Sequence, residues 1–546
     1  MFARLKKSGK YQYLQIVENR REGKRTVQRV IATLGRMDQL KTKGGIDNLV
    51  RSLSRYSDKV MLVLSSKSRI SANSKKVGPS LIFERLWKEL GIQKVIQGLL
   101  ADRKFGFDVE RAIYLTVLHR LFVSGSDRFC ERWRRDYSVE GTEDISLHHL
   151  YRAMGWIGEE VSDQKDAAPF APRCNKDLIE EGVFLEHQDL FSSLDLVFFD
   201  TTSIYFEGAG GESLGQRGYS KDHRPDLNQM IVGVVLDNQG RPICCEMWPG
   251  NTTDVKTLIP VTDRIRNRFQ VGRFCVVADR GMISKATLQK LEDPESNLSY
   301  ILGARMRKEN EIKRDVLSRP GRYQEVYPVG LSKKDPSPLQ VKEVWIDGRR
   351  YIVCLNTRQA RKDAADRKAI LLSLEEQLKK GAKTLIGNKG YRKYLKIQRG
   401  TVSINVDKIE AESKFDGKWV LRTNTDLSPA QAALKYKELW QVEHAFRDMK
   451  SILANRPIFH KRDETIKGHI FCSFLALVLG KELSRRLEKA GHHFEWAEIK
   501  QDLKALQETV LEENGRSLAV RSECLGTCGK VFQSVGAAIP PTIREL

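Results

Sequence analysis

The chain has 546 residues, more than one hydrophobic core ordinarily serves, and 40% of them are apolar, so about two to four globular domains are expected and a disordered chain is excluded. Its 93 Lys and Arg against 70 Asp and Glu leave a formal net charge of +23, which favours a polyanionic partner, nucleic acid first. The nine cysteines form neither a paired metal-ligand spacing nor a disulfide framework, which suits a reducing, cytoplasmic setting. The start, MFARLKKSGKYQYLQI, has no apolar signal core, and the best apolar run, near Ile470 to Leu479, is about half of the roughly 20 residues that span a bilayer, so no membrane partner is expected.

Residues 1–56 carry 14 Lys and Arg against 4 Asp and Glu. The alternating segments YQYLQIVE and TVQRVIATLG within them predict short strands, so 1–75 reads as a small basic β module. A Ser- and Lys-rich loop, SSKSRISANSKKVGPS, leads into a helical stretch from about Leu81 to Trp156 that carries the cluster Arg132, Arg134 and Arg135. That basic face is compatible with reading DNA or with a solvated surface, and 76–190 is taken as a helical DNA-binding region.

From Leu194 the pattern turns to strands. LDLVFFD is an apolar run closed by Asp200, and NQMIVGVVLD and RPICCEMWPG are two more runs joined by the turn Asp237 to Gly240. A helix from about Asp254 to Arg268 follows, with Asp254 as its cap, then the buried strand RFCVVADRG ending in Asp279. A helix from Ser284 to Leu291 and the strand LSYILGAR complete a run of three strands, helix, strand, helix and strand. That order requires a mixed α/β sheet with helical crossovers over 191–305.

Residues 306–426 hold short β-like pieces, RYQEVYPVG, EVWIDGRRYIVCLN and KWVLRTNTD, around one charged helix from Arg358 to Lys380, and read as a mostly β insertion. Residues 427–490 open with the long helix SPAQAALKYKELWQVEHAFRDMKSIL, in which Ser428 caps, Pro429 lies in the first turn and Gln431 holds the capping-box position. Residues 491–546 are assigned to a helical C-terminal region, although the pattern from about Arg516 is weak.

Carboxylates at strand ends among LVFF and CVVA are costly unless paired or metal-bound. An ion pair with Arg280 would satisfy Asp279 without chemistry. Glu443 lies mid-helix amid LWQVEHAF, where Leu439, Trp440, Val442 and Phe446 mark a buried face. Positions seven apart are two turns apart, so Tyr436, Glu443 and Lys450 fall in one row; a Glu443–Arg447 pair is the structural alternative.

Over about Leu194 to Leu479 these features resemble the DDE transposases of bacterial insertion sequences, the group named for insertion sequence four. The intervals from Tyr436 to Glu443 to Lys450 match that group's signature; Leu439 stands where the signature has Arg, with Arg447 or Lys437 near enough to substitute. GYSKDHRPD and WPGNTTD are similar to family segments as well. The resemblance implies an RNase H-like fold with one acid on the first strand, one on the fourth and a Glu on a later helix, often after a β-rich insertion. It assigns Asp200, Asp279 and Glu443 as catalytic metal ligands, with Tyr436, Arg447 and Lys450 as DNA contacts.

Three converging carboxylates repel one another, and two Mg²⁺ ions, or Mn²⁺ in their place, would resolve that repulsion. The implied partners are double-stranded DNA, both element ends and target, and a second copy of the chain as a homodimer. Some relatives form a DNA hairpin with a flipped base on an aromatic residue; Trp345 is the candidate here, against a packing role. The rival readings are an RNase H-like nuclease or resolvase that joins nothing, and a non-catalytic DNA-binding protein.

Overall fold

The computed structural model describes residues 1–22, 25–42, 44–54, 71–123, 125–165, 167, 171–187, 195–271, 274–293, 295, 298–326, 339–380, 393–398, 401–452, 457–513 and 516–546. The chain forms two compact units: residues 1–76 with 504–526 and 539–546, and residues 77–503 with 527–538.

In the first unit, β1 (Phe2–Ser8), β2 (Tyr11–Glu22) and β3 (Arg25–Arg36) form an antiparallel sheet in chain order, followed by helices α1 (Met37–Thr42) and α2 (Gly45–Ser54). The second half of the expected Ser- and Lys-rich loop is instead a strand, β4 (Ser71–Lys76), while residues 65–70 lie outside the described residues. SANSKK lacks the apolar alternation of a strand. It pairs because Ser71 donates to Glu512 at 3.2 Å and Ser74 shares a hydrogen bond of 2.7 Å with Thr509, far along the chain. The expectation that 491–546 is helical is corrected in part, because Gln507–Glu513, Arg516–Arg521 and Ile543–Glu545 are strands of that same sheet.

The second unit opens with six helices over residues 78–186: α3 (Gly78–Glu89), α4 (Ile92–Leu100), α5 (Val109–Phe122), α6 (Asp127–Trp133), α7 (Leu147–Gly158) and α8 (Asn175–Glu186). Pro79 starts α3, and the Asp108 carboxylate caps α5 by accepting from Arg111 N at 3.0 Å. The long helix Asp463–Lys489 crosses α7 so closely that a Cβ at Gly158 or at Gly468 would strike the backbone of the other helix. Among the described residues, no helix is long and apolar enough to cross a membrane.

The strands are β5 (Leu196–Tyr205), β6 (Gln229–Asp237), β7 (Pro242–Pro249), β8 (Cys275–Ala278), β9 (Ser299–Gly303), β10 (Gln324–Val326), β11 (Leu339–Ile346), β12 (Arg349–Asn356), the hairpin strands β13 (Leu395–Gln398) and β14 (Thr401–Ile404), and β15 (Lys418–Thr423). Nine of them make one sheet in the order β10-β11-β12-β15-β9-β8-β5-β6-β7. Only β8 runs parallel to its neighbours β5 and β9; every other pair is antiparallel. The β-rich stretch after residue 306 thus continues the sheet through β15 and β9. Residues 327–338, within the expected RYQEVYPVG and the segment after it, lie outside the described residues.

Strands β6 and β7 are buried along their whole length, which is why they read as unbroken apolar runs. On one face Val197, Phe199, Val235 and Val276 pack against Val261 and Ile265 of helix α9 (Leu258–Phe269) and Leu291 of α10 (Lys285–Leu291). A buried ion network fastens α8 to this layer. Arg268 reaches Glu180 at 2.6 Å, Glu181 at 2.8 Å and Glu246 at 3.2 Å; Arg264 reaches Glu246 and Asp177 at 2.9 Å each; Lys176 reaches Asp177 at 2.7 Å. Desolvation opposes every one of these charges, and their neighbours hold the Asp177 carboxyl well below its usual range.

Removing one member of such a network strands the others in a dry interior. We expect Arg268→Met to cost about 3–5 kcal/mol of stability, read from the urea midpoint. A midpoint equal to wild type would show that the network contributes only packing.

Candidate active site

Asp200 does not end its strand, as the sequence pattern suggested. β5 runs on to Tyr205 because the polar residues after Asp200 find partners: Ser203 Oγ accepts from Lys221 N at 2.8 Å, and Thr201 Oγ1 donates to Asp254 Oδ1 at 2.7 Å. The last parallel pair of β5 and β8 is Phe199 with Ala278, so Asp200 and Asp279 follow one residue later on neighbouring strands. The two acids, 79 positions apart in sequence, therefore sit side by side.

Burial drives the Asp200 carboxyl up to about 6, with Asp279 and Asp254 pushing the same way and the Lys221 ammonium and the Thr201 N–H opposing them. The Thr201 N–H donates to Asp200 Oδ1 at 2.7 Å. Lys221 lies in the loop GYSKDHRPD and is held by three acceptors: Thr201 O at 2.8 Å, Thr201 Oγ1 at 2.9 Å and Asp254 Oδ2 at 3.1 Å.

Asp279 begins the turn after β8, which Arg305 secures by donating to the carbonyls of Arg280 at 2.9 Å and Gly281 at 2.8 Å. The Tyr436 hydroxyl donates to Asp279 Oδ1 at 3.1 Å. Gly303 makes that contact possible, since a Cβ there would collide with the Tyr436 hydroxyl.

The segment read as one long helix is interrupted. Ser428, Pro429 and Gln431 start helix Pro429–Lys437 with the expected capping box, but the chain then tightens. Leu439 N bonds to Tyr436 O at 3.1 Å and Val442 N to Leu439 O at 3.0 Å, three residues back, before a second helix, Trp440–Arg447, and a wide turn at Asp448–Ile452. The single row of Tyr436, Glu443 and Lys450 is therefore broken. Tyr436 turns in to Asp279, Glu443 is exposed, and Lys450 pairs with Asp222 at 2.7 Å beside Lys221. Asp279, Tyr436 and Glu443 still line one cavity of about 780 Å³, with Arg280, Arg307 and Lys393 on its walls. Leu439 is buried, Arg447 is exposed, and Trp440, expected on the buried face, is 54% exposed. Trp345, for which packing was the alternative, is 58% exposed on β11.

Sequence reasoning missed Lys221, Asp254 and Gly303. Asp254 was read as a helix cap, but the α9 cap position is Thr257 and the Asp254 carboxylate faces Thr201 and Lys221 instead. The signal was present in GYSKDHRPD and WPGNTTD, to which no role had been given. A separate cluster joins Asp127, His460 and His469, whose ligand atoms lie within 4.8 Å of one another. The Arg120 guanidinium, 3.5 Å from Asp127 and 3.0 Å from His469, already supplies a cation there, and burial keeps His469 neutral by holding it well below its usual range.

Because the folded state raises Asp200, its ionised form opposes folding: stability is full below the unfolded carboxyl value and falls as pH rises through about 6. We expect Asp200→Asn, in chelator at about pH 7.5, to be more stable than wild type by on the order of 1–2 kcal/mol, discounted for partial exposure, and the two to converge below about pH 4. Identical melting curves at both pH values would show that the carboxyl is not desolvated.

The transposase DDE domain family matches residues 192–479, and the family of IS1634 family transposase N-terminal domains matches residues 3–67. No curated protein matches the chain. Among solved structures, a cryo-EM structure of piggyBac transposase in a synaptic complex with hairpin DNA is similar with a TM-score of 0.37 and 10% identity, covering 78% of this chain and 79% of that one. With the DDE domain match spanning more than half of its length, the chain belongs to the DDE transposases of insertion sequences.

Proposed function

We propose that this transposase cuts and joins DNA strands at Asp200, Asp279 and Glu443 with the help of two divalent cations, Mg²⁺ or Mn²⁺ in its place. The observation that carries this reading is the adjacency of Asp200 and Asp279 on paired parallel strands, with Glu443 and Asp279 lining one cavity. An RNase H-like core is supported by the same order: the first acid on the first strand of the run, the second after the fourth, and the Glu on a helix after the β-rich stretch.

The donor set fits hard divalent cations, since every candidate ligand is a carboxylate oxygen and Asp200 is raised by its acidic neighbours. When bound, the cations would activate a water or a DNA 3′-hydroxyl and stabilise the leaving 3′ oxygen. The chain's own part is positioning. The Tyr436 hydroxyl orients the Asp279 carboxylate, the Lys221 ammonium offsets the negative charge beside Asp200, and Glu443 approaches from an exposed helix. Phosphoryl transfer needs placement and charge neutralisation more than covalent help, so one site serves both cleavage and joining. Arg447 and Lys450 would hold phosphates beside the scissile bond; Lys450 would exchange its Asp222 carboxylate for a phosphate. The functional unit is a homodimer on paired element ends, with the helices of 76–190 as a further DNA-binding region.

The test incubates purified protein with labelled element ends, Mg²⁺ and a target plasmid. Cleaved and joined products are expected, and Asp200→Ala, Asp279→Ala and Glu443→Ala should each lower both by more than about 100-fold, as loss of a metal ligand exceeds loss of its supporting partners. Cleavage without joining would favour a nuclease or resolvase. Products undiminished by Asp200→Ala would remove the catalytic assignment.

A further inference from the structure

The N-terminal sheet has one face covered and one open. Leu40 of α1 packs where a Cβ of Gly35 would point, and Gly35 is paired with Leu14, so α1 lies on the Leu14 side. The opposite side carries Arg4, Gln15 and Thr33 in one cross-strand row, since Arg4 pairs with Gln15 and Gln15 with Thr33. These side chains are linked. Arg4 donates to Gln28 at 2.6 Å and to Gln15 at 3.4 Å, and Gln15 donates to Thr33 at 3.1 Å. Arg4 Nε makes no hydrogen bond among the described residues.

The adjoining rows differ in chemistry. On one side stand Lys6, Tyr13 and Arg36, with the Arg36 guanidinium 3.6 Å from the Tyr11 ring. On the other stand the apolar residues Phe2, Val17 and Val30. Gln28, Thr33 and Lys6 are exposed, so no other element of the unit covers the polar row. A sheet that needed only to fold would place Thr or Val at such positions, because Gln has no β preference. Residues 2–36 hold ten Lys and Arg against two Glu, so the face lies in a positive field.

Guanidinium and carboxamide groups held in a fixed array are the side chains that read base edges: Arg matches guanine, Gln matches adenine, and apolar groups meet the thymine methyl. The dimensions agree. Three strands span ~10 Å against a major groove of ~12 Å, and rows two residues apart are ~6.8 Å apart, about two base pairs.

We propose that the open face of β1–β3 reads duplex DNA sequence in the major groove, with Arg4, Gln15, Gln28 and Thr33 on base edges, Phe2 and Val30 against thymine methyls, and Lys6, Lys10 and Arg21 on flanking phosphates. The internal hydrogen bonds of the row preorganise the readers, and each amide retains donors and acceptors for a base. This site rests on the reading of the protein as one that acts on double-stranded DNA and adds to it a sequence-reading surface remote from the acids in the chain.

The test is a selection by the full-length protein from a random-sequence duplex library, in parallel with Arg4→Ala/Gln28→Ala, with Lys7→Ala/Gln12→Ala on the covered side, and with Asp200→Asn. Wild type, the covered-side variant and Asp200→Asn should enrich one common motif. The Arg4/Gln28 variant, melting as wild type does, should prefer that motif over scrambled duplex at least about tenfold less while retaining salt-sensitive binding to scrambled duplex. Enrichment of the same motif with undiminished preference by the Arg4/Gln28 variant would overturn the proposal and leave the catalytic reading standing. Duplex binding by wild type without any enriched motif would overturn it too. Absence of duplex binding by wild type would remove the catalytic reading along with it.

Discussion

Two carboxylates set beside each other in a partly dry place repel, and that repulsion is the constraint around which the second unit is arranged. The parallel pairing of β5 and β8 fixes it: a shift of one residue in that register would move Asp200 to the other face and separate it from Asp279. The register is in turn held by the apolar residues before the acids, Val197, Phe199, Val276 and Ala278, which pack into one core with α9 and α10. Burial strong enough to fix the strands is also what raises Asp200 to about 6. Stability of the sheet and strain of the site have one cause.

The layer behind the sheet uses charge differently. Around Arg264 and Arg268 the carboxylates of Asp177, Glu180, Glu181 and Glu246 each meet a cation at hydrogen-bonding distance, so their burial is compensated. Beside Asp200 the compensation is partial, with Lys221 shared between Thr201 and Asp254. The contrast separates a structural ionic cluster from a site prepared for a ligand of opposite charge, since both are buried and only one is balanced.

Much of this arrangement was legible from residues. The order of strands and helices from LDLVFFD to LSYILGAR follows from apolar runs broken by Gly and Asp turns, and the start of the helix at Ser428 follows from its capping pattern. What the pattern hid were tertiary choices. β4 is a polar strand recruited by a partner more than 400 residues away, and no local signal marks it. Asp254 looks like a cap because Asp at a helix start usually is one, yet Thr201 and Lys221 offered it better partners. The break between Tyr436 and Glu443 is invisible to helical spacing, because KELWQ contains no Gly or Pro; the break follows the course of the chain past Gly303 and the demand of Tyr436 for an acceptor.

That break divides the labour of one sequence signature. A continuous helix would aim Tyr436 and Glu443 along the same line, and a bulky phenol inside the core would drag the acid in with it. Tightening the turn after Tyr436 lets the phenol stay buried against Asp279 while Glu443 faces the cavity from the solvent side. The acid that would complete the cation shell therefore avoids the desolvation that Asp200 already bears. One ammonium at Lys221 cannot neutralise three carboxyl groups, so a third buried acid without cations would raise Asp200 further and weaken the sheet. Keeping Glu443 exposed until a cation arrives is the arrangement in which the site can exist empty and still close around its ligand.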